Sequence, residues 1–263
     1  MARRVEAAGI PKAVPALAEP APGVLATGHR TPAWVVRCGM SAERVFPFAY
    51  FLPDATRPES ERLVEPAGPF RFVFAGQFIE RKRLDLLISA LAILKRDDVE
   101  LVVAGSGPLE RELQSCAEKT WPGHVRWLGR LPLDEVPQAM ARVDCLVLPS
   151  RHDGWGAVVS EALMTGTPAI CSDACGAAEV VRASGVGGVF RSGDLMSLVQ
   201  ALDAALAAGK PQEQDRLALA NWARCLGASA GAEYLRAILQ HPQGASLRPA
   251  SPWSCNARLR PSH

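Results

Sequence analysis

Residues Asp144–Ile170 read DCLVLPSRHDGWGAVVSEALMTGTPAI, and the fold is decided by how this stretch is parsed. The apolar run Asp144-Cys-Leu-Val-Leu-Pro149 has the density of a buried strand. A Gly-rich turn at Gly154 and Gly156 follows, then a helical segment over Gly156–Thr165 and a second strand over Pro168–Cys171. Asp153 falls in the turn, and Glu161 falls inside the helix. The first amides of such a helix have no partner within it and carry a partial positive charge, which suits a phosphate. Two carboxylates beside an anion site suit a ligand that bears both hydroxyls and phosphates.

The same alternation extends in both directions. Strands are predicted at Phe70–Ala75, Val99–Ala104, His124–Leu128 and Asp144–Leu148. Helices are predicted at Leu84–Lys95, from the Gly105-Ser-Gly-Pro108 turn to about Ala117, at Leu133–Arg142 and through Ala178–Ala183. Leu84, Leu87, Ile88, Leu91 and Leu94 form one helical stripe. Strands dense in Val, Leu and Phe, separated by helix-length segments, imply an α/β fold: a doubly wound parallel sheet covered on both faces. Three more helices are expected at Leu195–Ala207, Glu213–Leu226 and Ala232–Gln240, which closes a domain over residues 70–240. Upstream, Val24–Gly28 and Arg44–Phe51 read as strands around a short helix at Pro32–Cys38. Asp54–Pro69, rich in proline and charge, reads as a linker. Residues 1–23 look poorly ordered, and residues 241–263, with four prolines, four serines and three arginines, are expected to be a disordered tail.

Composition excludes several classes. A net charge of +2 without long basic runs argues against a nucleic-acid partner, while weak association with an anionic membrane surface stays open. No stretch is apolar for long enough to span a membrane. Seven scattered cysteines suggest reduced thiols and a cytoplasmic address rather than a disulfide framework. Cys171 and Cys175 lack the further Cys or His that a zinc site needs, so no metal or other cofactor is expected.

In an open parallel sheet, ligands bind beyond the carboxyl ends of the strands, so the loops there are the candidates. Gly76-Gln-Phe-Ile-Glu-Arg-Lys82 puts Gln77, Arg81, Lys82 and Arg83 before a helix. That is either a solvated basic turn or, since positive charge opposes the helix dipole there, an anion site. Gly105-Ser-Gly107 is a common strand–helix turn that also lets backbone approach a ligand. Gly129-Arg130-Leu131-Pro132 reads first as a plain turn, with backbone groups able to meet a flat base, and Trp127 before it reads as core. Glu161 stands among Ala, Val and Leu without a sequence-local partner, so it needs a hydroxyl-bearing ligand or a hidden arginine. His152 has no nucleophile frame around it, and Glu179 reads as a helix-start carboxylate.

Together these residues resemble the donor-binding half of a retaining glycosyltransferase of the GT-B fold, in glycosyltransferase family 4 (the group 1 glycosyltransferases). The resemblance spans about Phe70 to Ala208. Its strongest element is the acidic-x7-Glu motif, Asp153-Gly-Trp-Gly-Ala-Val-Val-Ser-Glu161, with Gly-Thr-Pro168 after it. A second is the family's Gly-Arg-Leu-x-x-x-Lys-Gly pattern, here Gly76-Gln-Phe-Ile-Glu-Arg-Lys82-Arg, and Gly105-Ser-Gly107-Pro is a third.

The resemblance implies transfer of a hexose from a nucleotide-diphosphate sugar to an acceptor hydroxyl with retention of configuration, in synthesis of cell-surface polysaccharide or glycolipid. It implies Lys82, Asp153 and Glu161 as the catalytic set. Lys82 and the amides around Gly154, Trp155 and Gly156 would hold the diphosphate, Glu161 the ribose hydroxyls, and Asp153 the donor sugar. Gly76, Gln77, Arg81, Gly105, Arg130 and Leu131 would complete the donor site. The acceptor would be a carbohydrate or lipid-linked sugar. Three positions depart from the pattern: Asp153 stands where Glu is commoner, Gln77 where Arg is, and Arg83 where Gly is. Residues 1–69 resemble a remnant of an N-terminal acceptor domain plus linker, which implies a truncated chain or a partner chain that supplies the rest. Two other classes stay open: a nucleotide-sugar-binding subunit without turnover of its own, and an epimerase-like nucleotide binder.

Overall fold

The computed structural model describes residues 22–54, 68–132, 135–242, 248–255 and 259. Six strands make one parallel sheet: β3 (Phe70–Ala75), β4 (Val99–Ala104), β5 (Val125–Gly129), β6 (Cys145–Leu148), β7 (Ala169–Ser172) and β8 (Gly188–Phe190). Their spatial order is β5-β4-β3-β6-β7-β8. The chain winds outward from β3 to β5, returns to lay β6 on the other side of β3, and winds outward again. The order therefore reverses between β3 and β6, where a doubly wound sheet opens its ligand crevice. A separate two-stranded parallel sheet pairs β1 (Val24–Thr27) with β2 (Val45–Phe48). The helix α1 (Thr31–Arg37) joins them and buries Val35 beside Ala26, Met40 and Val45.

Alternation along the strands builds two cores. Phe70, Phe72 and Phe74 of β3 point to one face, where Leu87, Ile88 and Leu91 of α2 (Leu84–Leu94) meet them. Val73 points the other way, with Leu146 and Leu148 of β6, onto Val159 and Leu163 of α5 (Ala157–Met164). Period 2 on the strands and period 3.6 on the helices thus cover both faces. Each fully buried Leu or Phe contributes about 1.5–3 kcal/mol. The remaining helices are α3 (Glu110–Thr120), α4 (Val136–Ala141), α6 (Ala178–Ser184), α7 (Leu195–Ala208), α8 (Glu213–Ala223), α9 (Ala228–Leu239) and α10 (Pro252–Cys255).

The expected elements are all found within a few residues, apart from the start of the Leu133–Arg142 helix, which falls partly outside the described residues. Three features were not foreseen. The edge strand β8 is short and starts beside glycines that hide its pattern. A Cβ at Gly187 would sit 2.1 Å from the Ala169 carbonyl oxygen, so glycine is what allows that approach. Helix α9 begins four residues early and includes Gly231, where a side chain would strike the Phe51 ring at 2.4 Å. The expectation of a disordered segment over 241–263 needs correction for its described residues. Trp253 there is 2% exposed and lies in the core. A single indole with a prepared apolar pocket orders a stretch whose average composition looks soluble.

Candidate functional site

The loops after β3, β4, β5, β6 and β7 meet on one edge of the sheet. The loop after β3 runs through a 3-10 turn at Glu80–Lys82, closed by the Lys82 N–H on the Ile79 carbonyl (2.9 Å), before Arg83 takes a left-handed conformation and α2 starts. This turn aims Lys82 at the loop after β6. Its Nζ lies 2.7 Å from Asp153 Oδ2, and both side chains are nearly buried (14% and 13% exposed). Arg81 sits outside the pair, donating to the His152 carbonyl at 2.8 Å with its guanidinium 3.7 Å from the same Asp153 oxygen. Arg83 turns away and is bidentate on Asp85, in a shallow side pocket of about 260 Å³ that also touches Arg151. Gln77 is exposed and His152 is exposed.

The turn Asp153–Gly156 leads into α5. Gly156 caps the helix at φ 86°, and a Cβ there would lie 2.7 Å from Cys175 Sγ and 2.8 Å from Leu148 Cδ2, so only glycine fits. None of the Gly154, Trp155 and Gly156 amides donates to a described residue. They are the open donors of a helix N-terminus. The Trp155 indole is buried and donates through Nε1 to Ser160 Oγ (3.0 Å), so Trp155 offers the edge its backbone rather than its ring. The loop after β7 braces the turn: Asp153 N–H donates to the Ala174 carbonyl (3.1 Å), Gly176 N–H to Asp153 (2.9 Å) and Ala177 N–H to Trp155 (2.8 Å).

One turn along α5, Glu161 is half-buried and its carboxylate makes no hydrogen bond or ion pair with a described residue. Burial pushes its carboxyl above the usual range. The hidden arginine that could have paired with it exists, but elsewhere. Arg216 of α8 runs to the opposite end of β6 and holds the Val143 carbonyl (2.8 Å), Thr167 Oγ1 (3.3 Å) and Asp144 Oδ1 (3.4 Å).

Gly105 and Gly107 are occupied in a different way. A Cβ at Gly105 would sit 1.9 Å from the Gly76 carbonyl oxygen, and one at Gly107 would sit 2.5 Å from that of Phe78. With Gly76 N–H on Ala104 (3.0 Å) and Gly105 N–H on Gly129 (2.7 Å), they interlock the loops after β3, β4 and β5. Arg130 is exposed and Leu131 half-buried beyond β5, two strand spacings (about 10 Å) from β3. Trp127 packs edge-on against Phe78 at 5.8 Å.

Sequence reasoning missed a contribution from the β1–β2 unit. Its Gly28-His29 loop sits on the Gly154 and Gly176 backbones, with His29 N–H donating to the Gly176 carbonyl at 3.1 Å. Burial, then the charges of Arg182 and Arg30, holds the His29 imidazole below its usual range. The rule that strand-end loops converge applies to β1 as well and was the available signal. Among the described residues, no group of three or more His, Cys, Asp or Glu is placed to hold a metal ion. No helix among them is long and apolar enough to cross a membrane.

A doubly wound parallel sheet with an open helix N-terminus at its switch point is an architecture that the Rossmann-like domain of GT-B glycosyltransferases shares. Solved structures share this fold. Lipopolysaccharide outer core galactosyltransferase WaaB, in its apo form, has a TM-score of 0.69 at 20% identity, over 82% of this chain and 61% of that one. HepE of Anabaena, in complex with UDP, has a TM-score of 0.71 at 20% identity, over 86% and 66%. The family model for glycosyl transferases group 1 matches residues 56–220, and the chain belongs to that family.

Among curated relatives, an uncharacterized glycosyltransferase of Methanocaldococcus jannaschii is 33% identical over 115 residues, 43% of this chain and 32% of that protein. A GDP-mannose-dependent alpha-(1-6)-phosphatidylinositol monomannoside mannosyltransferase of Mycobacterium tuberculosis is 31% identical over 143 residues, 50% and 37%. The chain thus matches about a third of the length of these relatives.

Proposed function

We propose that this chain binds a nucleotide-diphosphate sugar and transfers its hexose to an acceptor hydroxyl with retention, in polysaccharide or glycolipid synthesis on the cytoplasmic side. The observation that carries this reading is the open row of Gly154–Gly156 amides beside the Lys82–Asp153 pair. A diphosphate entering there would take the amides and Lys82 together. Asp153, released from Lys82, would then accept hydrogen bonds from the donor sugar and orient it. As the nucleoside diphosphate leaves, negative charge grows on the oxygens that Lys82 and the amides face, and fixed donors stabilise such charge without reorganising. Glu161 supports a ribose contact, since a half-buried carboxylate without a partner gains most from hydroxyl donors. Arg130 and Leu131, about 10 Å along the edge, support a place for the base.

Isothermal titration with UDP, GDP and ADP tests the reading, with saturable heat expected for at least one. A flat titration with all three at millimolar concentration sinks it. Release of free sugar from a matching donor, followed over hours, separates transferase chemistry from binding alone.

A further inference from the structure

The C-terminal segment does more than cover the core. Arg248 donates to the carbonyls of Ala42 (2.8 Å) and Val45, which ties the segment to the β1–β2 unit. Helix α10 then carries Trp253 beneath the turn before α5. Its ring centroid lies 6.1 Å from that of Trp155 and 6.5 Å from that of Phe51. Leu259 N–H closes the path on the Ser184 carbonyl (2.9 Å), at the end of α6. This strap lies outside the residues 56–220 that the family model matches.

The loop after β7 holds the turn above it at the Asp153 and Trp155 carbonyls, through Gly176 N–H (2.9 Å), Ala177 N–H (2.8 Å) and Cys175 Sγ (3.0 Å). Gly154 has open space where a side chain would be, and glycines on both sides of Trp155 allow many backbone angles. The Trp155 ring is a further anchor: Ser160 Oγ holds one end, and Trp253 and Tyr50 lie against it with ring centroids at 6.1 and 6.4 Å. The Trp155 backbone carries this ring, so the ring's seat helps set the direction of the amides beside it. We propose that Trp253 is a positioning residue for the diphosphate site, holding Trp155 so that those amides point at the phosphates. The proposal rests on the nucleotide-diphosphate reading above for its ligand, but not for its mechanics.

The test compares the full-length wild type with Trp253→Ala, Trp253→Phe and a distant control, Trp121→Ala. Trp121 is also buried but stacks on His124, on the other core. Two readouts are used: nucleoside diphosphate affinity (UDP, GDP and ADP) and amide hydrogen exchange. Trp253→Ala should weaken binding by about ten- to a hundred-fold and speed exchange over residues 153–158. Trp253→Phe should recover most of both. Trp121→Ala should lower the melting temperature and change neither. Equal effects of Trp253→Ala and Trp121→Ala, or unchanged exchange at 153–158 in both folded Trp253 variants, would overturn the proposal. Should the wild type bind none of the three nucleotides, the diphosphate reading fails, and the exchange comparison still decides whether Trp253 sets the turn.

Discussion

The two ends of β6 hold opposite solutions to one problem, a carboxylate taken out of water. At the entry end, Asp144 is 1% exposed and fully answered: the Arg71 N–H donates to it at 2.8 Å, and Arg216 lies 3.4 Å away. Burial still holds its carboxyl above the usual range, against the opposing pull of the Arg71 amide and the charges of Lys210 and Arg216. At the exit end, Asp153 depends on a lysine that a phosphate could claim, and Glu161 has no partner among the described residues. A sealed set of charges stabilises the fold. An incomplete one leaves room for a ligand to complete it.

The entry end should dominate stability. Arg216→Met takes from buried Asp144 the guanidinium that reaches it at 3.4 Å and should cost about 3–5 kcal/mol, measured by urea unfolding, with nucleotide affinity per folded molecule unchanged. A loss under 1 kcal/mol would erase the contrast between the two ends. The exit end should dominate turnover. Lys82→Ala should lower donor turnover by about 10²–10³-fold while shifting the melting temperature little. The reverse pattern would make the Lys82–Asp153 pair a structural bridge.

Gly156→Ala tests the turn between them. A left-handed φ and two contacts under 3 Å should cost about 1–3 kcal/mol and weaken nucleotide binding. Retained affinity would show that the amides of residues 154–156 are not the anion site.

The smallest effect sharpens the comparison by its sign. The native carboxyl of Glu161 is raised, so the folded state holds that proton more tightly than the unfolded chain does. Its contribution therefore turns unfavourable as pH rises from the ordinary carboxylate range through the raised native value, and it stays so above. Glu161→Gln removes that penalty. The variant should be slightly more stable than the wild type at pH 7, equal to it at low pH, and weaker in nucleotide binding. A variant less stable at pH 7 would mean that Glu161 is satisfied within the fold.

Much of the site was legible because it is local. Asp153, Gly156 and Glu161 share one turn and one helix, so sequence spacing already separates mouth from interior. Lys82 was legible as a cation at a strand end, but its partner 71 positions away was not. Gly105 reads in sequence as a strand–helix turn that also lets backbone approach a ligand; the coordinates add that its bare backbone seats the Gly76 carbonyl. A glycine says only that something comes close, never what. Arg216 and Trp253 were missed for a related reason, since each sits in a segment whose average character is polar.

Periodicity and turn chemistry are properties of neighbouring residues, and by themselves they determined a doubly wound parallel sheet with a glycine-capped helix start after β6. Only the tertiary structure decided which charge answers which: Arg216 to Asp144, Lys82 to Asp153, and no described residue to Glu161. It alone also brought Trp253 beneath Trp155. Pairings between distant segments depend on where the packed backbone carries each side chain, and a single chain read in order holds no record of those distances.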